Sequence, residues 1–579
     1  MKLFEAAGRR LDRIPRVPVA VFLVALLARV LFRIETRGDP YFSVLVTDAR
    51  SYLELGRRFA AGDFLFGKDP LWFAPFYPTL LGGIFRLFGP QLELVRALQH
   101  VAGAATAALT ADLARRLAPG AGWVAGLLVA LSPVLLFSES QLLFTSWAVF
   151  FTALFLHRFA AGLDRPSAPR AGEAGALLGV LGWVRANSLL FLPVGAWLLR
   201  RRGGARAGLI FLAAGLATLV PVLLRNGVVS GAWTPLTVNG GFIFAEGFRE
   251  GALGGRTLSR SPDDFGPRGA YQREAEQRAG RSLSLAEASD LERRWTLERM
   301  RQDPVGLVRV TLRKLDLLLN VREIDDNLGI EAVTGRSRVL DAMPGPWAWA
   351  LIPAVVGGAV TIRRRSEVAR ALGIYALVQA ASLLPFFVTS RYRLPLLVPL
   401  AALAGLGVVE TARAIREERT RFVAAAALLA LATAAAVVLH DHGLRPSEPT
   451  RLVALGAAFQ DAGRSAEALD LTERAIRLGD RSAAAYQNRA LILLSLGRLP
   501  EALRSAEIAL TRQPDLAPAW NTRGTILARS GRFEEALPCF RRAVALDPSD
   551  ESARANFALA RQEIEGRRPP SLAVPPASP

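Results

Sequence analysis

The chain has 579 residues, 51% of them hydrophobic and 21% charged, and a mean hydropathy of +0.27. That balance argues against a wholly soluble assembly of about four domains, the number its length alone would suggest, and puts much of the chain in lipid. The formal net charge of +20 is a poor sign of nucleic-acid binding, because the excess Arg is spread over segments flanking apolar runs instead of one soluble face; it reads as membrane topology and attraction to anionic lipid.

The first apolar run, Val17 to Phe32, has Arg9, Arg10, Arg13 and Arg16 before it and Arg33 after it. No small-residue cleavage site follows, so it reads as an uncleaved first helix, not a signal peptide. Further runs of about membrane-spanning length are Leu92–Leu117, Gly122–Phe137, Leu142–Leu156, Ala174–Val184, Leu189–Leu199, Ala207–Leu224, Trp347–Ile362, Ala369–Val388, Leu394–Val409 and Phe422–Leu439. With the first they predict about eleven spans. Tyr77 to Phe88 is too short to span and is expected along the interface.

Arg115-Arg116, Arg158 to Arg170, Arg200 to Arg206, Arg363 to Arg370 and Arg413 to Arg421 fall in the short loops that an N-inside arrangement puts in the cytoplasm. Three large segments are then expected on the other side: a loop at about 34–91, a loop at about 225–344, and everything after about 439. Three short turns join them there, at Ser138-Glu139-Ser140, Arg185 to Ser188 and Thr389 to Arg393. The chemistry is expected on that face, since loops held by a rigid scaffold often carry function. The first loop concentrates it: Thr47-Asp48-Ala49-Arg50-Ser51-Tyr52 and then Phe73-Ala74-Pro75-Phe76-Tyr77-Pro78 bring together an acid, a base and aromatics. Within the long loop, Asp290 to Arg301 predicts an amphipathic helix and Arg256 to Arg268 a mobile segment.

From about 446 the chain changes character. Tyr486 and Trp520, Ala490 and Gly524, Gly497 and Gly531, Ala502 and Ala536, Ala506 and Phe540, Ala509 and Ala543, and Pro514 and Pro548 are each 34 residues apart. This resembles the tetratricopeptide repeat, a helix pair in which small residues permit close approach, a large aromatic fills the gap and Pro ends the second helix. Three repeats are expected at 449–482, 483–516 and 517–550, with a capping helix to 566 and a disordered Pro-rich tail at 567–579. Cys539 is the sole cysteine, so no intramolecular disulfide can form, and it reads as a packed thiol. His440 and His442 lack a third ligand and read as a solvated juxtamembrane segment.

The membrane part resembles the GT-C glycosyltransferases, in the bacterial branch similar to protein O-mannosyltransferases and to the lipid A aminoarabinose transferase. The likeness covers about 10–410 and rests on Asp-Ala-x-x-Tyr at 48–52, the aromatic-Pro run, Ser-Pro at 132–133 with Glu139, Trp-x-Arg-Ala-Asn at 183–187, Leu-Arg-Asn at 224–226, Asn-Gly-Gly at 239–241, Lys314, Asn320 and Glu323, and Arg391-Tyr392-Arg393-Leu394-Pro395. No single piece is specific; their order is. The fold expected is therefore all-α: a polytopic GT-C-like domain over 1–445 and a C-terminal solenoid of repeats.

The resemblance implies an inverting transfer of a sugar from a polyprenyl-phosphate donor, reached from the bilayer, to an acceptor on the outer face of a bacterial inner membrane. Such a reaction needs a base for the acceptor proton and cations for the departing phosphate. Asp48 is the expected base, its alternative reading being a helix N-cap. Glu139 is a candidate to share the acceptor or hold a divalent cation, against a solvated acid at a helix end; no cofactor is fixed. Arg391 and Arg393 suit phosphate because guanidinium offers a fixed fork, with Lys68, Arg185, Arg225 and Lys314 behind them and snorkelling as the rival reading. Tyr52, Tyr77, Tyr392 and Glu323 complete the expected substrate-binding set. Trp72, Phe73, Phe76 and Tyr77 would grip the prenyl chain or a sugar face, or form an interfacial aromatic belt. The repeats would recruit a protein partner or the acceptor; the alternative is a non-catalytic membrane scaffold that assembles envelope proteins through them.

Overall fold

The computed structural model describes residues 16–43, 45, 48–248, 269–321, 323–324, 330–333, 335–364, 366–438, 448–548 and 550–567. The segment 256–268, His440, His442 and the tail from 568 lie outside the described residues. Helices are the only regular structure among the described residues. The chain forms two compact units, one of Met1–Gly38 with Leu45–Arg445 and one of Asp39–Val44 with Pro446–Pro579.

In the first unit, helix Arg16–Glu35 turns Val17, Val21, Ala25, Ala28 and Phe32 inward, while Val19, Leu23, Leu27 and Leu31 on the other side are exposed. One face of this helix packs against protein and the other is bare and apolar. Its neighbours pack through small residues: Ala104, Ala107 and Ala111 of Leu92–Arg115 and Ala121, Ala125 and Ala130 of Ala121–Ala130 are fully buried in one core. Residues without a bulky side chain at these positions let the helices approach closely.

The expectation of about eleven spans needs correction. Four helices among the described residues are long and apolar enough to cross a membrane, Arg16–Glu35, Thr145–Asp164, Ala186–Ser230 and Ser390–Arg416, and a fifth if Ala121–Ala130 and Pro133–Ser140, bent by 45°, are one broken span. The physical reason is length and composition. Ala168–Val184 has 17 residues and Glu367–Ala381 has 15, and Leu92–Arg115 is built on Ala and Thr and carries Glu93, Arg96, Asp112 and Arg115. The expected spans at 189–199 and 207–224 lie in one run, interrupted at Gly204 (φ +79°).

Ser138-Glu139-Ser140 is not the exposed outer turn expected from sequence. It ends helix Pro133–Ser140, all eight residues of which are buried. Ser132 starts that helix by accepting the Leu135 amide, with Pro133 following as a preformed first residue.

Besides the short helix Pro40–Ser43, the first loop forms Asp48–Ala60 and Phe76–Phe88, joined by a segment that carries Trp72 and Phe73. They share a small core of Tyr52, Tyr77, Leu81 and Phe85. In the long loop the amphipathic helix is longer than predicted, Leu285–Gln302, because Ser284 and Glu287 close a capping box at its start.

The second unit contains three helix pairs: Glu448–Asp461 with Ser465–Arg477, Ala483–Ser495 with Leu499–Arg512, and Ala517–Arg529 with Phe533–Leu546, followed by Glu551–Arg567. Gly463, Gly497 and Gly531, spaced by 34, turn each pair at φ +75°, +74° and +76°, a region that penalises a Cβ. The same spacing sets a polar rung. Arg489 reaches Glu473 and the Ser505 hydroxyl at 2.8 Å, and Arg523 reaches Glu507 at 3.6 Å and the Cys539 sulfur at 3.0 Å. Cys539 is buried against Phe540 and Leu527, as a packed thiol.

Candidate functional site

A cavity of about 550 Å³ opens in the first unit where the start of Asp48–Ala60, the turn after Ala168–Val184, helix Gly240–Gly247 and the short helix Ser390–Arg393 meet. Its polar groups include Asp48, Arg185, Asn187, Asn239, Glu246 and Arg391; Tyr52, Trp72, Phe73, Phe144, Phe387 and Tyr392 supply aromatic wall.

Asp48 is the first residue of its helix, where a carboxylate complements the dipole. It is buried, and its Oδ2 accepts an N–H from Arg391 at 2.8 Å. Tyr52, one turn on, is buried with its ring 5.0 Å from Phe73, 5.1 Å from Tyr77 and 6.2 Å from Phe144. Burial, and then the Asp48 charge, hold its phenol well above the usual range, so it is a hydrogen-bond donor at neutral pH. Tyr77 stands behind this wall: it donates to Gln99 Oε1 at 2.7 Å, and Gln99 in turn donates to the carbonyls of Glu139 and Gln141.

Arg185 donates to the Tyr392 carbonyl at 3.0 Å and lies 4.6 Å over the Tyr392 ring; Arg391 lies 5.0 Å from the centre of the same ring. Burial pushes the Arg185 guanidinium down to about 10, with the Arg391 charge acting the same way. Two buried cations sharing one aromatic residue repel each other, and an anion in the cavity would relieve that repulsion.

The other expected residues do different work. Both Glu139 oxygens are taken within the protein: Arg29 donates from Nε at 2.8 Å and Nη2 at 2.7 Å, and His100 Nδ1 lies at 2.9 Å. Gly103 faces this carboxylate so closely that a Cβ there would collide with it. Glu139 is fully buried and absent from the cavity wall, so the carboxylate expected to share the acceptor or hold a divalent cation is committed to other partners. Among the described residues no group of three or more His, Cys, Asp or Glu could hold a metal ion. The donor set does not fit the divalent cation left open by the sequence.

Lys68 is exposed and outside the wall. Arg225 spends its donors on the carbonyls of Leu65, Gly67 and Asp69, so it shapes the first loop. Arg393 is a clamp as well. It donates to the Leu317 carbonyl at 3.0 Å, the Asn320 carbonyl at 2.5 Å and Glu323 at 3.3 Å, which fastens the end of Pro304–Leu319 to Ser390–Arg393. Lys314 is buried, donates to the Leu384 carbonyl at 3.0 Å and is pushed down to about 7 by burial.

Of the expected site residues, Asp48, Tyr52, Arg185, Arg391 and Tyr392 come together at the cavity. Glu246 was missed. It is buried in the wall and accepts the Tyr271 hydroxyl at 2.7 Å. The signal for it was a single acid in the apolar stretch Gly-Phe-Ile-Phe-Ala-Glu-Gly after the Asn-Gly-Gly turn.

Residues 517–550 match the tetratricopeptide repeat family. No curated protein matches the chain. Among solved structures, the chain is similar to the Arabidopsis OM64 TPR domain at 25% identity, covering 20% of this chain and 94% of that one, with a TM-score of 0.19. It is similar to the first TPR of Spaghetti (RPAP3) bound to the HSP90 peptide SRMEEVD at 19% identity, covering 21% and 96%, with a TM-score of 0.20. The crystal structure of MamA gives 19% identity, 21% and 70% coverage and a TM-score of 0.20. The family match shows a tetratricopeptide repeat near the C-terminus.

Proposed function

We propose that this protein is an inverting membrane glycosyltransferase that moves a sugar from a polyprenyl-phosphate donor to an acceptor on the non-cytoplasmic face of a bacterial inner membrane. The observation that carries the reading is the Asp48–Arg391 pair in the wall of an aromatic cavity, with Arg185 beside it. A base and two guanidinium groups in one wall are what this transfer requires.

In this reading the donor phosphate takes N–H groups of Arg391 and Arg185, in competition with Asp48 for Arg391. The Asp48 carboxylate then accepts the proton of the acceptor group. The acceptor's lone pair forms the new bond at the anomeric carbon, and the bond to phosphate breaks on the opposite face. The electron pair leaves with the polyprenyl phosphate, whose charge the guanidinium groups stabilise. The apolar wall suits the first part of a prenyl chain. Exposed apolar faces such as that of Arg16–Glu35 support a bilayer environment, and the tetratricopeptide match supports a protein partner for the repeats.

The test is transfer of radiolabelled sugar from a panel of polyprenyl-phosphate sugars in membranes carrying the wild type or Asp48→Asn at equal level. Asp48-dependent label with at least one donor supports the reading. Label with none would favour a membrane scaffold working through the repeats.

A further inference from the structure

Five acids are buried among the described residues: Asp48, Glu139, Glu246, Glu292 and Glu410. Four of them have an arginine partner, respectively Arg391, Arg29, Arg278 and Arg364 for Asp48, Glu139, Glu292 and Glu410. Glu246 differs: its hydrogen-bonding partner among the described residues is the Tyr271 hydroxyl, and it has no ion pair there. A buried carboxylate without a cation is unfavourable for folding. Its position in the cavity wall gives that arrangement a use.

The surroundings are aromatic and fixed. The Trp72 ring lies 5.4 Å from Phe242 and 6.3 Å from Tyr271, and Phe242 lies 5.5 Å from Tyr271. Trp72 itself faces the cavity. Tyr271 belongs to helix Ala270–Ala279 and Glu246 to Gly240–Gly247, so the hydrogen bond ties two elements of the long loop and sets the carboxylate's position. One carboxylate oxygen is engaged by the phenol, and an ionised carboxylate has further acceptor capacity on both oxygens. A flat indole beside a hydrogen-bond acceptor suits a ring that is apolar on one face and rimmed by hydroxyls.

We infer that Glu246, held by Tyr271 beside Trp72, accepts hydroxyl hydrogen bonds from the sugar in this cavity and sets which sugar is transferred. The inference rests on the transferase reading and assigns the sugar to the Glu246 and Trp72 part of the wall, with the phosphate at Arg391 and Arg185.

The experiment uses the full chain in membranes and the polyprenyl-phosphate sugar that gives Asp48-dependent label, compared with analogues lacking one hydroxyl each. Wild type, Glu246→Gln and Tyr271→Phe are measured for KM and kcat. The expected result is a loss of about 10-fold to 100-fold in kcat/KM for Glu246→Gln on the intact donor, carried mainly by KM. On one deoxy analogue the wild type and Glu246→Gln should be nearly equal, because the hydrogen bond is already absent. Tyr271→Phe keeps the carboxylate and should lose less; it carries the test if Glu246→Gln fails to accumulate. An equal loss on every analogue, or none on any, overturns the inference while leaving Asp48-dependent transfer intact. Absence of label from the wild type with every donor overturns the transferase reading, and this inference with it.

Discussion

The Asp48 carboxylate accepts its hydrogen bond from Arg391, a residue 343 positions later in the chain. The pair closes the first loop onto the turn before helix Leu397–Arg416, and it puts an acid and a guanidinium fork in one cavity wall. Arg391→Lys keeps the charge and loses the fork. Label transfer should fall by at least about 10-fold while the protein still accumulates, since Arg and Lys are not equivalent at a phosphate. Equal transfer by the two proteins would remove Arg391 from the phosphate site.

Glu139 gives the opposite outcome. Glu139→Ala leaves Arg29 buried with its cation unpaired, which costs about 3–5 kcal/mol. Folded protein recovered in detergent should drop sharply, whereas Asp48→Asn, whose amide can still accept from Arg391, should accumulate normally. Monodisperse, fully folded Glu139→Ala would contradict the assignment of this carboxylate to structure.

Lys314 predicts a pH dependence. Its amine titrates near 10.5 when unfolded and is pushed down to about 7 in the folded chain. Between those values the unfolded state binds a proton that the folded state does not, so stability from this group rises as pH is raised through that window. Below about pH 7 both states are protonated and the burial penalty applies in full. Lys314→Met should flatten the rise in thermal midpoint across this range. An unchanged slope would assign it to other groups.

Gly531 sits at φ +76° in the turn of the third helix pair. Gly531→Ala should destabilise the 446–579 segment by about 1–2 kcal/mol, the penalty for a Cβ in a left-handed conformation. Denaturation followed by circular dichroism checks this. No change in midpoint would mean that the turn relaxes elsewhere.

Local features were the legible ones. The 34-residue period and the helix Asp290–Arg301 could be read because each depends on residues close in sequence; Gly497 and Gly531, expected to permit close helix approach, instead turn the helix pairs at positive φ. The span count was overstated because apolarity alone cannot separate a spanning helix from a short buried one such as Ala168–Val184. The sequence points to an exposed turn at Glu139 because its partner Arg29 lies in another helix. Arg29 itself, a cation inside the run Val17 to Phe32, was the signal that an acid had to meet it. Asp48 and Arg391 each stand out in the sequence, but their pairing depends on tertiary contact that no spacing reveals. Glu246 was overlooked because it belongs to no periodic pattern, and its significance appears only when the other buried acids are seen to be paired.

The most direct measurement compares sugar transfer by the wild type, Asp48→Asn and Lys68→Ala at matched levels in membranes. Lys68 is exposed and outside the cavity wall, so the account predicts label from the wild type and Lys68→Ala and none from Asp48→Asn. Undiminished label from Asp48→Asn, or loss in Lys68→Ala with Asp48→Asn active, would contradict it.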